Sequence, residues 1–163
     1  MNSVTAHLEE IATQLGDAWL PRIYRERILK LRTRAYDFSP LPKNAAPEIQ
    51  HTLLGIELKV GRRRMLCPDL ATARYLSIFA RIGCNAVAIP YDITKVSHAA
   101  DELESSWHRM LLLADSVAAE QSPAFRARLR RLLIAKVRDE IAGGGVGKRV
   151  PEFKANTKQY KRK

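Results

Sequence analysis

Residues 51–93 read HTLLGIELKVGRRRMLCPDLATARYLSIFARIGCNAVAIPYDI and pass from a strand pattern through a helix pattern to a second strand pattern. Residues 49–60 are rich in apolar and β-branched side chains, as in a strand that is covered on both faces. Gly61 predicts a turn, after which residues 62–66 form either an antiparallel partner strand or a basic loop.

A helix is predicted from Pro68 onward, with an apolar stripe from Leu70 to Ile82. Pro68 suits the first helical position, Asp69 is stabilised by the positive end of the helix dipole, and Gly83 suits the C-terminal end. The apolar run AVAIP at residues 86–90 then predicts a buried strand. A strand, a helix and a returning strand together predict a right-handed βαβ crossover.

Apolar residues at spacings of three and four predict further helices on either side of this stretch. They comprise an N-terminal helix over residues 3–19, a basic helix over residues 22–34, a helix capped by Thr94 or Ser97 that runs to Val117, and a last helix from Ser122 and Pro123 to about Ile141. A short edge strand at residues 35–38 precedes a proline-rich loop. We therefore expect an α+β or α/β fold, with a small three- to four-stranded sheet packed by an N-terminal helix and two long C-terminal helices.

The chain of 163 residues fits one globular domain over residues 1–142. Glycines at residues 143–147 then predict a hinge. Residues 148–163, KRVPEFKANTKQYKRK, are cationic and contain too few apolar side chains to order themselves. We expect them to form a flexible basic tail.

The excess of 28 Lys and Arg over 17 Asp and Glu gives a net charge of +11, which favours a polyanionic partner. We favour nucleic acid, DNA or RNA, over an anionic membrane surface or a solvated surface without a ligand. The predicted phosphate contacts are Arg22, Arg25, Arg32, Arg34, Arg62, Arg63 and Arg64, and in the tail Lys148, Arg149, Lys154, Lys158, Lys161, Arg162 and Lys163. Binding of this kind requires no cofactor.

Cys67 and Cys84 lie in apolar surroundings without metal-binding spacing, which is typical of reduced cysteines in the cytoplasm. No apolar run approaches the roughly 20 residues that span a bilayer. We expect a cytoplasmic protein without a membrane span, and the sequence leaves a homo-oligomer open.

Glu57 and Lys59 are two residues apart on a predicted strand and therefore project from the same face. The segment GIELKV, followed by a basic loop, a helix that ends in glycine and a short apolar strand, resembles the PD-(D/E)XK nuclease superfamily over about residues 36–92. The resemblance implies that Glu57 and an upstream acid bind Mg²⁺, and that Lys59 positions or deprotonates the attacking water. Carboxylate oxygens suit Mg²⁺, which polarises a phosphoryl oxygen.

Two upstream acids, Asp37 and Glu48, are candidates for the second metal ligand. On one extended strand, Glu48 lies about 30 Å from Glu57 at about 3.3 Å per residue, so we expect the two not to share a metal ion. Asp37 is the better second ligand, because the proline-rich loop after it allows its strand to pair alongside Glu57. Tyr36 stands where the superfamily has a proline before the aspartate.

The leading hypothesis is a nucleic-acid-binding protein that contacts phosphates through its Arg- and Lys-rich helix faces and its tail. One alternative is an Mg²⁺-dependent nuclease that uses Asp37, Glu57 and Lys59. Another is a non-catalytic protein-interaction module with a contiguous apolar patch on its helices.

Overall fold

The strands of this α+β protein lie in separate antiparallel sheets. The computed structural model describes residues 3–38 and 46–147, and all statements about structure concern these ranges. Strands β1 (Thr33–Asp37) and β5 (Ala86–Pro90) form a two-stranded sheet, here called the β1–β5 ribbon. Strands β2 (Pro47–Thr52), β3 (Gly55–Val60) and β4 (Arg63–Cys67) form a three-stranded meander with β3 in the middle.

The prediction of one strand over residues 49–60 is wrong, because the chain reverses within it. Thr52 pairs with Gly55, which leaves Leu53 and Leu54 in the turn. Gly55 has φ +127°, a backbone conformation that side chains with a Cβ rarely adopt. Of the two alternatives for residues 62–66, the strand is the one observed, and it pairs with β3 in the register Val60 to Arg63.

The predicted single sheet and the βαβ crossover are also wrong. In the described residues β5 pairs only with β1, and the tyrosines Tyr24 and Tyr75 cover its other edge. The N–H of Ala88 donates to the Tyr24 hydroxyl at 2.9 Å, and the Tyr75 hydroxyl donates to the Ala88 carbonyl at 2.6 Å. Buried backbone groups need hydrogen-bond partners, and here phenol groups supply what a neighbouring strand would otherwise provide.

The helices are α1 (Ser3–Leu15), α2 (Leu20–Ile23), α3 (Leu70–Ile82), α4 (Ile93–Val117) and α5 (Pro123–Gly144). Asp69 caps α3 by accepting from the Thr72 N–H at 2.7 Å, and Gly83 ends it with φ +94°. Asp92, rather than the predicted Thr94 or Ser97, caps α4, since its carboxylate accepts from the Thr94 N–H at 2.9 Å. No helix in the described ranges is both long enough and apolar enough to cross a membrane.

The predicted basic helix over residues 22–34 is shorter than expected. After α2 the chain continues as a π-helical turn, Tyr24–Ile28, and Thr33 already belongs to β1. A β-branched residue at that position suits a strand better than a helix, and the pairing of β1 with β5 extends the backbone. Arg34 therefore projects from a strand.

The core lies where α3 packs against the meander on one side and against α4 on the other. Leu58 and Val60 of β3 and Met65 and Cys67 of β4 are buried on the inner face of the meander. Alternation places the remaining side chains on the opposite face, which we call the outer face. It carries Glu48, Gln50 and Thr52 of β2, Glu57 and Lys59 of β3, and Arg64 and Leu66 of β4.

The end of α5 is fixed against the π-helical turn. Gly143 and Gly144, predicted as part of a hinge, belong to the helix, and the carbonyl of Gly145 accepts from the Tyr24 hydroxyl at 2.6 Å. A Cβ on Gly144 would lie 3.3 Å from the Cγ of Arg25, so only glycine allows this close approach without a shift. The predicted tail, residues 148–163, lies outside the described residues.

Candidate functional site

Glu57 and Lys59 project from the outer face of the central strand β3, as the two-residue spacing predicts. The Glu57 side chain is only 6% exposed. Its Oε2 atom lies 3.4 Å from the Thr52 hydroxyl, and its Oε1 atom has no hydrogen-bond partner in the described residues. Lys59 is half-buried and forms no ion pair within the described part of the chain. A buried carboxylate oxygen without a partner is uncommon and indicates a position for a ligand or a partner group.

The β2–β3 hairpin brings Glu48 to this face as well. Glu48 pairs with Lys59 and Gln50 pairs with Glu57, which makes Glu48 and Glu57 diagonal neighbours. Diagonal neighbours of this kind lie about 7–8 Å apart. The predicted separation of about 30 Å is therefore wrong, because it assumed an unbroken strand at about 3.3 Å per residue.

Asp37 lies in the other sheet. It is exposed, and its Cα pairs with Ala86 of β5. The predicted pairing of its strand alongside Glu57 is wrong, because β2 and β4 occupy both edges of β3. The carboxylate that the fold brings towards Glu57 is that of Glu48.

The outer face offers oxygen ligands, which are the ligands that Mg²⁺ prefers. The unpartnered Glu57 oxygen, the Glu48 carboxylate and the Gln50 amide fit such an ion in donor type. Within residues 3–38 and 46–147 no group of three or more His, Cys, Asp or Glu is arranged to hold a metal ion. A magnesium ion here would therefore depend on two carboxylates, with water or a substrate phosphate completing its shell.

Several of the predicted phosphate contacts already have partners inside the protein. Arg22 forms ion pairs with Asp17 at 3.6 Å and Glu26 at 3.0 Å. Arg63 is half-buried and donates from Nη1 to the Phe38 carbonyl. The Arg63 guanidinium is engaged within the fold, the ion pairs of Arg22 lie at the surface and contribute little, and Arg25, Arg62 and Arg64 are exposed.

Arg32 and Arg34 meet at one exposed aromatic ring. Their guanidinium carbons lie 5.1 and 5.6 Å from the centroid of Tyr91, whose side chain is 42% exposed. The N–H of Tyr91 donates to the Arg32 carbonyl at 3.1 Å and so extends the ladder of the β1–β5 ribbon by one residue. We call Arg32, Arg34 and Tyr91 the Tyr91 cluster. Contacts of this kind are favourable cation–π interactions.

The described chain also ends at this ribbon. A Cβ on Gly147 would lie 2.7 Å from the Thr33 hydroxyl and 3.8 Å from the Cβ of Ala88. Gly147 therefore packs against the residue that separates Arg32 from Arg34, and Lys148 is the next residue in sequence.

The buried cysteines do not add a nucleophile. Burial raises the pKa of the Cys84 thiol to about 12 and that of Cys67 to about 11. A thiol is nucleophilic as its thiolate, which is scarce at neutral pH with such pKa values.

No family model, curated protein or solved structure matches this chain. The site rests on its geometry, and that geometry adds residues that the sequence did not single out. Tyr91 and Glu48 are the main additions. Recognising the β2–β3 hairpin would have placed Glu48 near Glu57. Tyr91 could not be singled out from the sequence, because its proximity to Arg32 and Arg34 depends on the pairing of β1 with β5.

Proposed function

We propose that this protein binds nucleic acid at the end of the β1–β5 ribbon that carries the Tyr91 cluster. The observation that supports the proposal is the meeting of Arg32 and Arg34 at Tyr91, while Gly147 packs against the intervening Thr33. Two cationic side chains thus meet at one aromatic ring of a small sheet, and the basic residues 148–163 follow Gly147 in sequence. Each Lys or Arg that neutralises a phosphate releases condensed counterions and so strengthens binding at low salt.

Fewer of the predicted arginines are suited to contact phosphates than the sequence suggested. Arg63 donates to the Phe38 carbonyl inside the fold, so its contribution to a phosphate surface is small, whereas Arg22 is exposed and forms only surface ion pairs. Arg32 and Arg34 lie over the Tyr91 ring, and a guanidinium group in contact with a ring is also of the type that recognises phosphate oxygens. They are the first residues to test.

The test compares two double variants that remove the same charge. In Arg32→Ala/Arg34→Ala, we expect weaker binding and a salt dependence whose log–log slope is smaller by up to about 1.4 for a single strand, at about 0.7 per phosphate contact. The matched control is Arg126→Ala/Arg128→Ala, which removes two exposed arginines from the start of α5. Equal losses in both double variants would mean that only total charge matters and would contradict the proposal.

A second candidate function, an Mg²⁺-dependent nuclease, is favoured by the outer face alone. Its support is the unpartnered Oε1 atom of buried Glu57, with Glu48 diagonal to it and Lys59 on the same strand. Glu48 and Glu57 would hold the ion, which polarises a phosphoryl oxygen when bound. Lys59 would donate a hydrogen bond to the same phosphate.

The nuclease proposal is tested by cleavage of labelled single and double strands with and without Mg²⁺. We expect cleavage that EDTA stops and that Glu57→Gln and Lys59→Ala abolish. Glu48→Gln should lower the rate strongly, whereas Asp37→Asn, a matched removal of one carboxylate charge in the other sheet, should leave it unchanged. Absence of cleavage, or loss with Asp37→Asn but not with Glu48→Gln, would contradict the assignment.

A further inference from the structure

We infer that the nucleic acid bound at the Tyr91 cluster is single-stranded and that one of its bases stacks on the cluster. The inference rests on the proposed nucleic-acid binding and specifies which form of nucleic acid the site selects. It goes beyond phosphate attraction, because phosphates are present in duplex and single strand alike.

Tyr91 is exposed although it directly follows the buried strand β5. Val87, Ala88 and Ile89 of β5 are buried, and Pro90 is buried as well, yet the Tyr91 ring reaches the surface. Ile93, two residues later, is 46% exposed. Single exposed apolar side chains are ordinary on protein surfaces, so exposure alone carries little weight. The two guanidinium groups beside the ring distinguish this position.

Phenol rings and guanidinium planes both stack on nucleobases, and guanidinium groups also bind phosphates. Sites for single strands combine these two elements: cations that follow the backbone and aromatic rings on which bases stack. In a duplex the faces of the bases are already stacked on each other. A ring at a protein surface therefore reaches a base face in a single strand, and only at an end or a defect in a duplex.

The backbone of Tyr91 is held by regular structure before and after it in sequence. On one side the Tyr91 N–H donates to the Arg32 carbonyl. On the other, Asp92 caps α4 by accepting from the N–H and the hydroxyl of Thr94, at 2.9 and 2.7 Å. These hydrogen bonds hold the pKa of the Asp92 carboxyl below its usual range. The Asp92 carboxylate is therefore engaged in the cap of α4. The cations beside the Tyr91 ring are Arg32 and Arg34.

The decisive probes are one labelled single strand, the same strand with abasic sugars, and a duplex of the same sequence. The abasic strand keeps its phosphates and loses its stacking surfaces. We expect the intact protein to bind the base-bearing strand about 5- to 150-fold more tightly than the abasic strand, since stacking contributes about 1–3 kcal/mol per base. Tyr91→Ala should remove this preference, and Tyr91→Phe should keep it.

The matched control is Ile93→Ala, which removes a neighbouring exposed apolar side chain without an aromatic face and should leave the preference intact. Equal affinity of the intact protein for base-bearing and abasic strands would overturn the inference while leaving phosphate binding in place. The same holds for a loss of affinity in Tyr91→Ala that is equal for both strands. Failure to bind any of the probes at low salt would instead overturn the proposed function itself.

Discussion

The hydroxyl of Tyr24 joins β5 to the end of α5. It accepts a hydrogen bond from the Ala88 N–H at 2.9 Å and donates one to the Gly145 carbonyl at 2.6 Å. Ala88 is fully buried, so its N–H has no access to solvent, whereas Gly145 is exposed. One phenol oxygen thus satisfies a strand edge and fixes the segment from which the basic tail continues.

For Tyr24→Phe we expect a loss of about 1–3 kcal/mol in the free energy of unfolding, because the buried Ala88 N–H is left without a partner. The exposed Gly145 carbonyl bonds to water instead and adds little. Urea unfolding followed by circular dichroism measures the change. The control is Tyr91→Phe, a loss of the same hydroxyl at the surface, which should stay within about 0.5 kcal/mol of the parent. Equal stability of the two variants would show that the Tyr24 hydrogen bonds contribute nothing net.

The buried thiols and phenols make the fold sensitive to alkali. Burial raises the pKa of Cys84 from 9.0 to about 12 and that of Tyr24 from 10.0 to about 12. Above pH 9.0 the unfolded chain releases thiol protons that the folded chain retains, so the unfolded state binds fewer protons. Stability is therefore fully present below pH 9.0 and falls as the pH rises towards 12.

In Cys84→Ser we expect a smaller decline of the urea midpoint between pH 9.0 and 10.0, because one of the two buried thiols no longer contributes. The comparison is made between pH values within each variant, so a constant loss of stability from the substitution itself does not enter. A decline as steep as that of the parent would rule out Cys84 as a source of the pH dependence.

At the scale of elements, the long helices α3, α4 and α5 were predictable from the sequence, whereas the segment from Gly16 to Arg34 and the sheets were predictable only in part. Helices α3 and α5 follow from signals within a few residues of each other: Asp69 and Gly83 at the ends of one, Ser122 at the start of the other. The β2–β3 hairpin was missed because Leu53 and Leu54, both apolar, occupy its turn. The two separate sheets were missed because the edge of β5 is satisfied by Tyr24 and Tyr75, a non-local arrangement that no pattern indicates.

The same division applies to the candidate site. Glu57 and Lys59 share a face because strand alternation is local, and the sequence predicted this. Glu48 lies on the outer face because the chain turns at Leu53 and Leu54, which the sequence analysis did not predict. Asp37 does not lie there, because β2 and β4 occupy both edges of β3. Exposed apolar side chains lie both on the meander and on helices, and the protein-interaction alternative stays a prediction. They are Leu53, Leu54 and Leu66 of the meander and Leu70, Ile93 and Leu112 of the helices.

The β2–β3 turn is testable by replacing Gly55, with a helical glycine of α5 as the control. Gly55→Ala should lower the free energy of unfolding by about 1–3 kcal/mol, because alanine is strained at φ +127°. Gly143→Ala is the matched control: this glycine is helical, and a Cβ there would meet nothing within 4 Å. It should raise stability by up to about 1 kcal/mol. Thermal unfolding of both variants decides the matter, and a neutral Gly55→Ala would contradict the strained turn.

At the scale of the whole molecule, several arginines of the helical part of the chain are paired with carboxylates. Arg27 pairs with Glu102, Arg74 with Asp101 and Glu104, and Arg130 with Asp115. These ion pairs link α4 to the π-helical turn, to α3 and to α5, whereas the exposed Arg126, Arg128 and Arg131 of α5 form no ion pair within the described residues. The cations available to a phosphate surface are therefore fewer than the 28 Lys and Arg of the sequence.

Residues 148–163 contain seven Lys and Arg and one Glu. We expect their deletion to lower the log–log salt slope by up to about 5 for a single strand, at about 0.7 per phosphate contact, without changing the melting temperature. The control is a variant in which residues 148–163 are written in the reverse order, so that the composition and charge of the segment are unchanged. An unchanged slope after deletion would exclude the tail from binding.

The most direct measurement is the affinity of the intact protein for a labelled single strand across a salt series from about 50 to 200 mM. We expect tight binding at the low end and a linear fall of log affinity with log salt whose slope shrinks when Arg32 and Arg34 are replaced by alanine. No binding at the lowest salt, or a slope that the two replacements leave unchanged, would contradict the assignment of the Tyr91 cluster as a nucleic-acid site.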